Sequence, residues 1–389
     1  MLLHQLRLKG LLSFGPDSPA LVLRPLNVLI GPNGSGKSNV LAAIDLLRSA
    51  ATKLTAPIRR SAGGGVSEWL WKGAAVGRGE ITAIVDYPDL ASSLRHSIAF
   101  EQAGTQFEIA YEAIEDDDPE PEDSPSYFYR LTQHGAVFSR PGEADRMLHR
   151  SELRLDESIL SQRKDPDQYP ELAHLVNAYG DVRLYREWPF GHASVFRIPQ
   201  SAALPGDRLE ENLSNLGLFL NHLRGDPQCK RAIIDRLRDL YTGLDDFDVR
   251  VKGGTVEVFL TEGDFIIPAA RLSDGTLRYL CLLAILCDPD PPRLICIEEP
   301  ELGLHPDLLP KIADLMIAAS ERTQLIVTTH SDILVDALTE QPESVVVVEK
   351  HDGQTRATRL QAGDELQQWL EKYRLGQLWL RGEIGGTRW

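Results

Sequence analysis

A chain of 389 residues with a net charge of −16 has room for one large α/β domain or two smaller ones, and a surface so acidic as a whole does not suit nonspecific DNA binding. No apolar run reaches the ~20 residues of a membrane span. The opening MLLHQLRLKGLL alternates like a strand and lacks the small-residue cleavage site of a signal peptide, so a cytoplasmic protein without membrane contact is expected.

In chain order, residues 6 to 14 and 21 to 30 read as two strands joined by a Gly-Pro-Asp-Ser-Pro turn. The second ends in Gly31-Pro32-Asn33-Gly34-Ser35-Gly36-Lys37-Ser38, the G-x-x-x-x-G-K-S phosphate-binding pattern. The apolar run before it (LNVLI) is a buried strand, and the run after it (Asn39 to Leu47) is an amphipathic helix. Strand, glycine loop and helix N-terminus form an anion cradle of backbone N–H groups. Lys37 would reach the β- and γ-phosphates, and the Ser38 hydroxyl would ligate Mg²⁺. Residues 61 to 79 are rich in Gly, Ala and Trp. Segments 81 to 87, 94 to 100, 106 to 114 and 126 to 131 then read as an antiparallel meander. The acidic, proline-bearing run Glu115 to Asp123 interrupts it as a solvated loop. The basic runs Arg59-Arg60 and Arg146 to Arg154 read as solvated faces, with a local basic groove as the alternative.

Residues 151 to 180 and 207 to 243 have helical apolar spacing, too short for a coiled-coil arm. DVRVKGG and TVEVFLTE make a hairpin turning at Gly253-Gly254. Leu272-Ser273-Asp274-Gly275-Thr276 then precedes an apolar helix. The buried strand Arg293 to Ile297 ends in Glu298-Glu299-Pro300-Glu301. Leu304-His305-Pro306 leads into another helix, and the strand LIVTT ends at His330, with Ser331 capping the next helix. The tail is a strand (SVVVVEK), a charged hairpin and one helix (ELQQWLEKYRLGQLWL) whose Trp369, Tyr373 and Trp379 cap the core or, alternatively, meet a partner. The four cysteines, Cys229, Cys281, Cys287 and Cys296, lack C-x-x-C spacing; buried reduced thiols are expected.

In parallel α/β sheets ligands bind at the carboxyl ends of strands, where Glu298, Glu299 and His330 fall. Hydrolysis of a γ-phosphate needs charge neutralisation and an aligned water. Glu298 is placed to hold Mg²⁺, Glu299 to orient or deprotonate the water, and His330 to contact the γ-phosphate. Ser273-Asp274-Gly275 opens a helix and supplies a second anion-binding N-terminus. That second terminus is useful if it closes over ATP bound to another subunit, which implies a head-to-tail homodimer with two ATP molecules at its interface.

With these motifs in hand, the sequence resembles the ABC-type ATPases of the RecF/SMC branch, and more closely the compact AAA-family ATPases near the overcoming-lysogenisation-defect proteins. The resemblance rests on GPNGSGKSN (31 to 39), LSDGT (272 to 276), ICIEEPELGLHP (295 to 306) and TTHS (328 to 331), in the family order. It implies an α/β fold: an ABC-ATPase head with a mixed or parallel sheet around the phosphate loop, an antiparallel β meander and an inserted helical lobe. The implied division is 1–90 and 246–389 for the two parts of the head, with the meander and lobe at 91–245. It implies ATP and Mg²⁺ as cofactors. Asn33, Gly34, Ser35, Gly36, Lys37, Ser38 and Asn39 stand at nucleotide-binding positions, and Ser273 and Gly275 at the signature contacting ATP in trans. Ser38 and Glu298 stand at the metal positions, Glu299 and His330 at the catalytic ones, and Glu301 to His305 in the loop communicating between sites. Leu12 stands where the family carries a nucleotide-contacting basic residue, and Gln200 is the candidate for the glutamine loop.

The function so implied is an ATP-driven dimeric switch or sensor, in anti-phage defence with a separate effector protein such as a nuclease or toxin, or in association with DNA. A RecF-like repair or chromosome-maintenance clamp is the alternative. The ATPase subunit of a membrane transporter fits poorly. Asn39 replaces the usual Thr, LSDGT replaces LSGGQ, and about 235 residues separate Ser38 from Ser273, far beyond a transporter's compact spacing.

Overall fold

The computed structural model describes the chain except residues 61–64, 74–76, 89–92, 105, 118–126, 141–143, 190, 192–193, 241–242 and 387–389. The fold is mixed α/β and divides into two compact units. One comprises Met1–Val182, Val346–Leu360 and Ile384–Trp389, the other Arg183–Val345 and Gln361–Glu383.

The first unit carries an antiparallel sheet. Its strands lie in the order Leu21–Val22, Leu3–Lys9, Arg78–Val85, Leu94–Ala103, Gln106–Asp116, Tyr127–Thr132, Gly135–Phe138 and Arg146–His149. Arg78–Val85 alternates between buried and partly exposed residues, as a strand covered on one face must. The expected meander is therefore present and runs two strands further, into Gly135–Phe138 and Arg146–His149, which are too short to show a period. The expected strand over 6 to 14 ends at Lys9. Beyond it the chain folds back on itself between Leu11 and Phe14, with Leu12 in the left-handed region at φ 54°. The acidic run expected as a loop begins inside the strand Gln106–Asp116, where Glu115 pairs with Arg130, and Asp117 just beyond it pairs with Arg95; residues 118–123 lie outside the described residues.

The same unit holds Leu26–Ile30, buried along its whole length, as a strand covered on both faces must be. Beside it lies Val345–His351, which pairs antiparallel with Gln354–Arg359. The helix Lys37–Ser49 follows the phosphate loop and buries Val40, Leu41, Ile44 and Leu47 on one face. Within 151–180 only Ile159–Gln162 and Pro170–Gly180 are α-helical. The Asp-Pro-Asp segment between them breaks the spacing, and Pro170 opens the second helix where its missing N–H costs nothing.

In the second unit, Leu294–Glu298 runs parallel to Gln324–Thr328 with Glu298 opposite Thr328, and Val182–Tyr185 flanks it on the other side. A smaller antiparallel sheet contains the expected hairpin as Leu244–Lys252 and Thr255–Glu262, with Gln200–Ser201 and Phe265–Pro268 added along it. The helical region expected at 207–243 is two helices, Leu216–Leu223 and Pro227–Leu240, because Gly225-Asp226-Pro227 interrupts it. The tail helix is likewise two, Asp364–Leu370 and Leu375–Leu380. Leu375, Leu378 and Trp379 are buried, whereas Trp369 is 36% exposed, so Trp379 caps the core and Trp369 does not. All four cysteines are free thiols. No helix among the described residues is long and apolar enough to cross a membrane.

Candidate nucleotide-binding and catalytic residues

The first unit positions the phosphate loop. Gly31 has φ 146°, and a Cβ there would lie 2.0 Å from the Val348 carbonyl oxygen, so only glycine fits between the loop and the neighbouring strand. Lys37 is buried at 5% exposure, and its ammonium donates to the carbonyls of Gly31 at 2.8 Å and Pro32 at 3.1 Å. The Ser35 hydroxyl oxygen is buried without a hydrogen-bond partner among the described residues. Asn33, Gly34 and Ser38 are exposed, and Asn39 donates from Nδ2 to Ser13 Oγ at 2.7 Å. Ser13 Oγ lies 2.7 Å from Thr355 Oγ1, which reaches the Ser35 carbonyl at 2.6 Å. Each hydroxyl has one proton to give. Ser13 Oγ accepts from Asn39 Nδ2, and the one Thr355 proton is directed between Ser13 Oγ and the Ser35 carbonyl. This relay fixes both flanks of the loop.

The second unit positions the acidic pair and the histidine. Glu299 Oε1 lies 3.5 Å from His330 Nε2, each side chain about one-third exposed. Glu299 adopts φ 48°, a left-handed conformation that is strained for a residue with a Cβ. Its N–H donates to the Thr328 carbonyl at 3.0 Å, and its carbonyl accepts from Arg278 Nη2 at 2.6 Å. Glu298 points elsewhere: its Oε2 pairs with Arg186 Nε at 2.9 Å, while Trp188 Nε1 donates to its carbonyl at 2.9 Å. Glu301 Oε1 accepts from the His330 N–H at 2.7 Å and from Thr329 Oγ1 at 2.8 Å. Burial pushes the Glu301 carboxyl above the ordinary glutamate range, these hydrogen bonds acting the other way. Burial also pulls the Arg278 guanidinium down to about 10, against the opposing pull of Glu301 and Glu299.

A protein-family model described as "AAA domain, putative AbiEii toxin, Type IV TA system" matches residues 26–336. The chain belongs to this AAA family. Among solved structures, it is similar to the SMC head bound to the C-terminal winged-helix domain of ScpA. That match has 15% identity and a TM-score of 0.57 over 92% of this chain and 98% of the other. It is also similar to the SMC head with an extended coiled coil bound to the C-terminal domain of ScpA from Pyrococcus furiosus, at 14% identity and a TM-score of 0.55 over 95% and 98%. At such identities the likeness is one of fold. No curated protein matches. The fold is the mixed α/β head expected from the motifs, and it is shared with SMC head domains.

In this AAA-family domain the signature segment opens the helix Asp274–Leu286. Ser273 is its N-cap, its Oγ accepting from the Thr276 N–H at 3.0 Å, and Ser273 is exposed. A Cβ on Gly275 would lie 2.9 Å from the Gly303 carbonyl oxygen, so the signature packs directly on the 301–305 loop. His305 is exposed and caps the short helix Pro306–Leu308. Gln200 is buried, its Oε1 accepting from the Gly217 N–H at 2.7 Å, so in this structure its side chain serves as a helix anchor. Sequence reasoning missed Ser13 and Thr355 around the phosphate loop, and Arg186, Trp188 and Arg278 around the glutamates. None of these stands in a motif, and only the Tyr-Arg-Glu-Trp cluster at 185–188, unusual ahead of a loop, offered a signal.

A nucleoside triphosphate suits the loop as built. The Gly31 approach closes the backbone as a phosphate cradle requires, an unpartnered buried hydroxyl waits at Ser35, and the Lys37 ammonium is already desolvated. Oxygen donors of the Ser38 and Glu298 types are those a hard cation such as Mg²⁺ selects.

Proposed function

We propose that the chain binds ATP with Mg²⁺ and hydrolyses it. Lys37 and the loop N–H groups of residues 33 to 39 hold the phosphates, and Ser38 and Glu298 supply oxygen to the cation. Glu299 acts as general base toward the attacking water, with His330 as its hydrogen-bonded companion. The observation that carries this reading is the Glu299–His330 contact at 3.5 Å, held at the ends of two adjacent strands by a left-handed Glu299 backbone. A base held out of the sheet in a strained turn is pre-organised, and strain of this kind clusters at sites of chemistry. Bound Mg²⁺ would neutralise charge on the phosphates; the protein's own task is to align the water and take its proton.

Two copies closing on two ATP molecules, with Ser273 and Gly275 contacting ATP bound to the other copy, make hydrolysis a switch between closed and open dimers. The SMC heads this chain is similar to are bound to ScpA domains, and the matched family is described by a type IV toxin–antitoxin system. Both support a switch that acts through a separate protein in defence. The test is the Glu299→Gln protein, purified from its native operon context with and without ATP. Hydrolysis should fall roughly 10²–10⁴-fold with ATP binding retained, and light scattering should show an ATP-stabilised dimer carrying a second protein. Hydrolysis at the wild-type rate would sink the catalytic assignment. An ATP-dependent dimer that retains DNA and no partner would favour a repair clamp.

A further inference from the structure

Helix Asp274–Leu286 begins at Ser273, yet its next turn reaches the strand-end glutamates. Arg278 is 4% exposed. Its Nη2 donates to the Glu299 carbonyl at 2.6 Å, and its guanidinium carbon sits 4.4 Å from the centre of the Trp188 ring. Trp188 in turn donates from Nε1 to the Glu298 carbonyl at 2.9 Å. Two consecutive peptides are therefore held by one stacked Arg–Trp pair, and the Glu299 peptide is the one in the left-handed region. The same helix touches the following loop at Gly275, against the Gly303 carbonyl. Side chains packed at this density pass on a displacement instead of absorbing it.

We propose that Arg278 and Trp188 are positioning residues that convey the placement of the signature helix to the Glu298 and Glu299 peptides, so that the Glu299 carboxylate is aligned only when that helix is seated. The pair touches no reacting atom and acts through Glu299; the inference rests on Glu299 being the general base. A guanidinium is suited to this task because its planar fork stacks on the indole while its edge donates. Lysine keeps the charge and loses that combination.

The experiment is a double-mutant cycle of Arg278→Lys and Glu299→Gln, with single-turnover hydrolysis, nucleotide affinity by calorimetry and thermal midpoint read for all four proteins. Arg278→Lys alone should lower kcat about 10- to 100-fold, the scale of a misplaced catalytic group, with nucleotide affinity within about threefold. In the Glu299→Gln background it should cost nothing more, because the group it positions is gone. Trp188→Phe keeps a stacking ring, removes the N–H to Glu298, and enters the same cycle should Arg278→Lys fail to fold. Losses that multiply in the double variant, an unchanged kcat, or an affinity loss equal to the kcat loss would each overturn the proposal. A Glu299→Gln protein that hydrolyses normally would instead overturn the reading on which it rests.

Discussion

Glu301 shows how the site balances order against burial. One carboxylate oxygen fixes the His330 N–H and the Thr329 hydroxyl, while the other is buried without a hydrogen-bond partner among the described residues. An ionised carboxylate so placed is costly, and the raised pKa records the cost. Because the folded state holds the proton to higher pH than the unfolded chain, this group favours folding fully below the ordinary glutamate value of about 4.3. That contribution is lost as pH rises through the raised folded value. Glu301→Gln keeps the accepting oxygen and removes the charge. Its thermal midpoint should equal or exceed that of the wild type at pH 7 to 8, with the gap narrowing toward pH 4.5. A gap that widens on acidification would show that the charge itself stabilises the loop. The constraint on neighbouring Glu299 lies in its backbone, at φ 48°.

At the level of elements, the relay through Ser13 and Thr355 makes the C-terminal hairpin part of the phosphate loop. Thr355→Val keeps the shape and removes the hydroxyl, leaving the buried Ser35 carbonyl without its donor while Ser13 keeps only the bond from Asn39. A loss of about 1–3 kcal/mol is expected. If it falls on loop order, ATP affinity drops about tenfold for each 1.4 kcal/mol, while kcat at saturating ATP changes little. Calorimetric titration with ATP separates that outcome from an unchanged affinity, which would make the relay incidental to binding. This contact also marks what a sequence can and cannot reveal. The phosphate loop, the Glu298-Glu299 strand end and the Ser331 cap were legible because their chemistry demands residue types at fixed local spacing. Ser13 and Thr355 are 342 residues apart, and neither carries a local signal. The pairing of Trp188 with Arg278 is equally nonlocal, since a cation stacked on a ring needs no periodicity. Helix breaks at 224–226 and 371–374 were lost in longer apolar spacings, since the residues on either side keep a helical period although the helix does not. The short strands at 135–138, 146–149 and 265–268 hold too few residues to declare a period of two.

For the whole molecule, the proposal that ATP joins two copies turns on Ser273. Its hydroxyl already serves its own helix by accepting the Thr276 N–H, yet the residue is exposed, at a helix terminus that attracts anions. Arginine at this position places a long side chain over that terminus and also removes an N-cap worth roughly 0.5–2 kcal/mol. Ser273→Ala removes the cap alone and so isolates the second effect. In the Glu299→Gln background, where ATP persists, Ser273→Arg should bind nucleotide as its parent does and remain monomeric by light scattering. Ser273→Ala should dimerise with reduced affinity. If the arginine protein dimerises like its parent, the signature does not meet ATP across an interface, and the switch must be sought in a single chain. If both variants lose the dimer and nucleotide binding together, the cap has unsettled the unit that carries the glutamates. Monomers that bind ATP but fail to pair, produced by arginine and not by alanine, are the result that an ATP sandwich requires.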